Sequence, residues 1–127
     1  MNSFYSFTIY NSTAELPPYW DNLAVSTVFL SKSYLEVLEQ SSPENMLCNY
    51  IGIFDNEILV GIAVSQFLNL NKLESFGDRD KCIKTAIRNI VFRNFASHVL
   101  IIGNNMLTGQ NAYAFANSID KKKVTQA

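Results

Sequence analysis

Residues 4–10 alternate, with Phe4, Ser6 and Thr8 on one side and Tyr5, Phe7 and Ile9 on the other. A period of two dominated by β-formers predicts a first strand with one apolar face. Leu16-Pro17-Pro18-Tyr19-Trp20 follows, and prolines are tolerated where a helix opens, so a short helix through Trp20 and Leu23 is expected. Ser31 then precedes Tyr34, Leu35 and Leu38, an apolar stripe with an N-cap, and Pro43 closes the segment. This is a second helix. Residues 46–54 and 57–70 are two β-rich runs separated by Asp55-Asn56, a pair suited to a hairpin turn that needs positive φ. Neither run alternates cleanly, which predicts strands covered on both faces, as in a layered α/β domain.

Further along, Asp78 or Asp80 can cap a long helix. Its apolar positions Ile83, Ala86, Ile87, Ile90, Val91 and Phe95 recur at helical spacing, and Lys81, Lys84 and Arg88 face outward. Residues 99–102 read as a short buried strand ending at Gly103, and residues 112–116, with Tyr113 and Phe115, as another. Asp120 looks like the N-cap of a helix with only two turns before Ala127. Two turns are too few to stand alone, which leads to the expectation that the chain is part of something longer. The order is strand, helix, helix, strand, strand, helix, strand: an α/β (α+β) domain with a mixed, largely antiparallel sheet flanked by helices.

With 127 residues the chain has room for one domain, residues 1–127, and should bury about two-thirds of its unfolded surface without a disulfide or metal staple. Hydrophobic residues make up 48% and charged residues 17%, a globular and not a disordered composition. Cys48 and Cys82 are too few for a disulfide framework or a four-cysteine zinc site and are read as buried free thiols. The longest apolar runs fall short of the ~20 residues a spanning helix needs, and the N-terminus lacks a basic n-region and an apolar h-region. The expected location is the cytoplasm, with no membrane partner.

Net charge is −1, but it is unevenly distributed: residues 1–60 hold seven acids against Lys32, and residues 61–127 hold nine bases against four acids. Either an anionic ligand lies near the second half or a solvated basic helix face stands beside an acidic one. A nucleic-acid partner is not expected: the pI is 5.7, and Arg88, Phe92, Arg93 and Phe95 are at helical spacing and lack the Lys/Arg-Gly-aromatic arrangement of an RNA-binding strand. Walker loops, GxGxxG and Ser/His/Asp arrangements are missing too.

The segment His98-Val-Leu-Ile-Ile-Gly103-Asn104-Asn-Met-Leu-Thr108-Gly109-Gln-Asn-Ala-Tyr-Ala-Phe115 has a distinctive order: strand, Gly-Asn, three residues, Thr-Gly, then an aromatic-bearing strand. It resembles the N-terminal half of Bacteroidetes-type GNAT-like proteins of the acyl-CoA N-acyltransferase superfamily, whose longer chains are built from two GNAT-like halves. Trp20, residues 28–31, Tyr34-Leu35, residues 50–54 and Val60-Gly61 extend the resemblance loosely. It implies a partial GNAT-like fold and acyl transfer from acyl-CoA (acetyl-CoA) to a small-molecule amine acceptor. A C-terminal GNAT-like half of the same protein is the implied partner, and no metal is implied.

In that superfamily the donor's pyrophosphate lies on backbone N–H groups in a Gln/Arg-x-x-Gly-x-Gly/Ala loop, where unpaired donors and a helix dipole converge on an anion. Aligning Gly109 with the first glycine puts Met106 and Asn111 at the other key positions, so neither charge nor backbone access is kept. The alternative phosphate contact is the helix start at residues 118–123, where Lys121 and its neighbours oppose the dipole unless an anion is present. An exposed polar helix end is the plainer reading.

Gly103, Asn104, Thr108, Gly109 and Lys121 are therefore the candidate cofactor-binding residues, with turn chemistry as the structural alternative for Asn104, Thr108 and Gly109. No catalytic residue is singled out. His98 is the one histidine and has no spaced acid or nucleophile, and Glu36, Glu39, Glu44 and Glu57 are equivalent as bases for an amine. Gly61 marks either a bulge or a packing site under the long helix. Two functions follow: an acyltransferase-related domain incomplete without its C-terminal half, or a non-catalytic recognition or structural domain packing against a catalytic one. A scaffold of the second kind should expose an apolar patch.

Overall fold

A computed structural model describes residues 5–70, 97–105 and 112–117 of the chain. Strand β1 (Tyr5–Tyr10) leads through four single-turn 3-10 segments to helix α1 (Lys32–Ser41). Then come β2 (Met46–Asp55), β3 (Ile58–Asn69), β4 (His98–Ile102) and β5 (Tyr113–Phe115). The order across the sheet is β1-β2-β3-β4, with β5 also on β3, and every pairing is antiparallel. The architecture is thus α+β, built on an open, antiparallel five-stranded sheet with one α-helix and 3-10 turns among the described residues.

Helix α1 follows its sequence signals closely. The Ser31 hydroxyl accepts from the Tyr34 N–H, and Leu35 and Leu38 are buried against the sheet. Such a cap contributes about 1 kcal/mol, and burying each leucine about 1.5–3 kcal/mol. The helix expected through Trp20 and Leu23 is instead a succession of 3-10 turns at Thr13–Glu15, Trp20–Asn22, Ala24–Ser26 and Val28–Leu30. Pro17-Pro18 denies the first turns their donors, and the β-branched Val25, Thr27 and Val28 disfavour continuous helix. Tertiary contacts hold the segment. Trp20 is fully buried, its Nε1–H donates to the Leu30 carbonyl at 2.8 Å, and Tyr10 meets it edge to face.

The β2–β3 turn is as expected, one residue later: Asp55 pairs with Ile58, and Asn56 (φ 48°) and Glu57 (φ 71°) form the loop. Positive φ at both central residues matches the right-handed twist of the strands. A register shift lies between Ile53 and Phe54, opposite Gly61. A Cβ on Gly61 would come within 2.6 Å of the Phe115 ring, so this glycine is a packing site under β5 as well as a neighbour of the irregularity.

One face of the sheet packs Met46, Cys48, Tyr50, Ile62 and Val64 against α1 and the 3-10 segments. Strand register puts Phe7, Ile9, Leu47, Ile51, Ile53, Phe67, Leu100, Ile102, Tyr113 and Phe115 on the other face. The expectation that residues 46–54 and 57–70 form strands covered on both faces holds for β3, where residues 59–66 are all buried, and not for β2, where burial alternates and Leu47 is exposed. Strand β4 is not the buried strand expected, since His98, Leu100 and Ile102 are all exposed. The first strand does have one apolar face, but it is the open one; Tyr10 alone turns its ring onto the core cluster. The long helix expected over residues 78–95 and the turns after Asp120 lie outside the described residues, as does Cys82. Cys48 is a buried free thiol.

Candidate functional site

The outer edge of β3 is shared by two partners. Residues 65–69 pair with β4 and residues 61–63 with β5. Val64 is the changeover: its carbonyl accepts from the Gly103 N–H at 2.9 Å, and its N–H donates to the Ala112 carbonyl at 3.0 Å. Gly103 has φ +140°, and a Cβ there would lie 3.3 Å from that of Ala112. Only glycine makes this departure from the sheet without strain.

A polar cluster supports the departure from the helix-bearing side. Gln66 is fully buried in the middle of β3, and its Oε1 accepts from the Asn105 N–H at 2.8 Å. Its Nε2 lies 3.5 Å from Asn104 Oδ1 and 3.9 Å from Cys48 Sγ. Asn104 Nδ2 in turn donates to the Tyr34 hydroxyl at 3.2 Å, and the Phe29 ring meets Tyr34 edge to face. Three elements, α1, β2 and β3, thus fix the backbone at residues 103–105. A buried amide with both ends bonded is a positioning device, because an unmet amide group in the core would cost several kcal/mol.

A second cluster ties the β1–α1 connection to the sheet. The Glu39 carboxylate accepts from the Ser12 hydroxyl (2.9 Å), the Thr13 N–H (2.8 Å) and the Tyr50 hydroxyl (3.2 Å). Burial alone would raise this carboxyl, but the hydrogen bonds from Thr13, Ser12 and Tyr50 outweigh it and hold it below the ordinary value. Tyr50 is pushed well above the usual phenol range, by burial first and then by the Glu39 charge beside it. The carboxylate is therefore an anchored acceptor and not a poised base.

Of the residues named from sequence, Gly103 and Asn104 meet at the divided edge; Thr108, Gly109 and Lys121 lie outside the described residues, as do Met106 and Asn111. His98 is exposed, bonded to Ser97 Oγ through Nδ1 at 2.8 Å and stacked on Phe67, as a strand-boundary histidine would be. Glu36, Glu44 and Glu57 are exposed, so Glu39 alone among the four is built into a network. Gln66 was missed, although a polar pair, Ser65-Gln66, interrupting a long apolar run was the available signal. Tyr34 was read only as part of a core stripe. Among the described residues no group of three or more His, Cys, Asp or Glu side chains is placed to hold a metal, and no helix is long and apolar enough to cross a membrane. No family model matches the chain, and neither a curated protein nor a solved structure is found to be similar to it.

Proposed function

We propose that this chain is a non-catalytic recognition or structural domain that packs, through the open face of its sheet, against a catalytic domain of the acyl-CoA N-acyltransferase (GNAT) type. The observation that carries this reading is the face itself. Phe7, Ile9, Leu47, Leu100, Ile102 and Tyr113 are all exposed on one side of the sheet, and exposed apolar side chains gathered on one face are characteristic of an interaction site. The polar clusters on the other side support the same reading, because their groups are spent on one another. The GNAT part rests on the resemblance of residues 98–115. The catalytic domain is then the C-terminal half of the same protein, a cytoplasmic acyltransferase whose acceptor is a small amine.

A second reading puts acyl-CoA in this chain, at the divided edge of β3. The specific observation in its favour is the glycine departure at Gly103, where backbone leaves the sheet between two strands held by the same neighbour. One experiment separates the two: the thermal midpoint of this chain measured against acetyl-CoA up to millimolar concentration, with adenosine as control. The docking reading expects no shift. It also expects the folded chain to bind an apolar dye, and Leu100→Ser and Ile102→Ser to reduce that binding. A saturable rise of several degrees, as about 2.7 kcal/mol of linkage at a hundredfold excess over Kd would give, supports the acyl-CoA site instead.

A further inference from the structure

We draw no further inference here: the strongest candidate, the uncharged edge strand β1 (Tyr5–Tyr10) with its exposed Phe7 and Ile9 beside the open face of the sheet, carries none because nothing in the structure shows what covers it.

Discussion

Gln66 gives the sharpest test of how the divided edge is held. Gln66→Leu keeps the volume and adds apolar surface, but it removes the acceptor of the Asn105 N–H and the partner of Asn104 Oδ1. One good hydrogen bond is worth about 1 kcal/mol net and an unmet buried partner about 1–3 kcal/mol. Asn105 is exposed, so water recovers part of its loss, and about 1–2 kcal/mol of destabilisation is expected. Gln66→Glu changes one atom and should cost more, about 3–5 kcal/mol at neutral pH. One carboxylate oxygen can still accept from Asn105, but the other faces Asn104 Oδ1 and Cys48 Sγ, and Lys32, the one described lysine, is engaged elsewhere. Burial raises the folded pKa of the new carboxyl above its unfolded value, so the variant's deficit should shrink as pH falls through that raised value, when the protonated acid can donate to Asn104 as the amide does. Urea unfolding at pH 7 and pH 5 reads both effects, and each kcal/mol corresponds to about 3–6 °C in Tm for a domain of this size. Equal losses in the leucine and glutamate variants, or no recovery at low pH, would refute the assignment of Gln66 as a dry, doubly bonded anchor.

Gly61→Ala should destabilise by about 1–3 kcal/mol, because the new methyl group overlaps the Phe115 ring, and Phe115→Leu in the same chain should relieve part of that cost; thermal melts of the single and double variants check it. Glu39 titrates below its unfolded value in the folded chain, so its contribution is complete above the unfolded carboxylate pKa and is lost as pH falls through the folded one, whereas Tyr50 titrates above its unfolded value and its contribution is lost as pH rises beyond about 10. Glu39→Ala should therefore remove about 1.5–3 kcal/mol at pH 7 and flatten the acid limb of a stability-against-pH curve while leaving most of the alkaline limb.

Local chemistry was legible wherever one residue type has one use. Ser31 as a cap, the Leu35/Leu38 stripe and Asn56 at positive φ were all readable because capping, helical spacing and turn geometry each act within a few residues. The 3-10 succession from Thr13 to Leu30 was not, since what orders it is Trp20 bonded to Leu30 and Lys32 reaching back to Leu16 and Pro17, contacts that no period announces. Half of the candidate site was similarly hidden. Gly103 and Asn104 stood out as a Gly-Asn pair ending a strand, but their partner Gln66 lies 38 residues before Asn104, and only the sheet register brings them together. Tyr34, 70 residues before Asn104, carried an apolar signal that concealed its hydroxyl.

The reading of residues 46–54 and 57–70 as covered on both faces holds for β3 and not for β2, and the difference bears on function. An unbroken apolar run requires that both faces be apolar; it does not say which part of a protein covers the second one. In this sheet the first face is fully served by α1 and the 3-10 segments, around Trp20, Leu30, Leu35 and Tyr50. The second leaves Phe7, Ile9, Leu100, Ile102 and Tyr113 each about half exposed or more. Burying the remainder of side chains this large is worth about 1 kcal/mol each, at about 25 cal/mol per Å². The sum is several kcal/mol, comparable with much of the 5–15 kcal/mol that holds a typical domain together. The polar side chains of the Gln66 and Glu39 clusters are bonded to one another. Among the described residues most of the apolar surface left to cover lies on the open face, and it is on that surface that the proposed docking role rests.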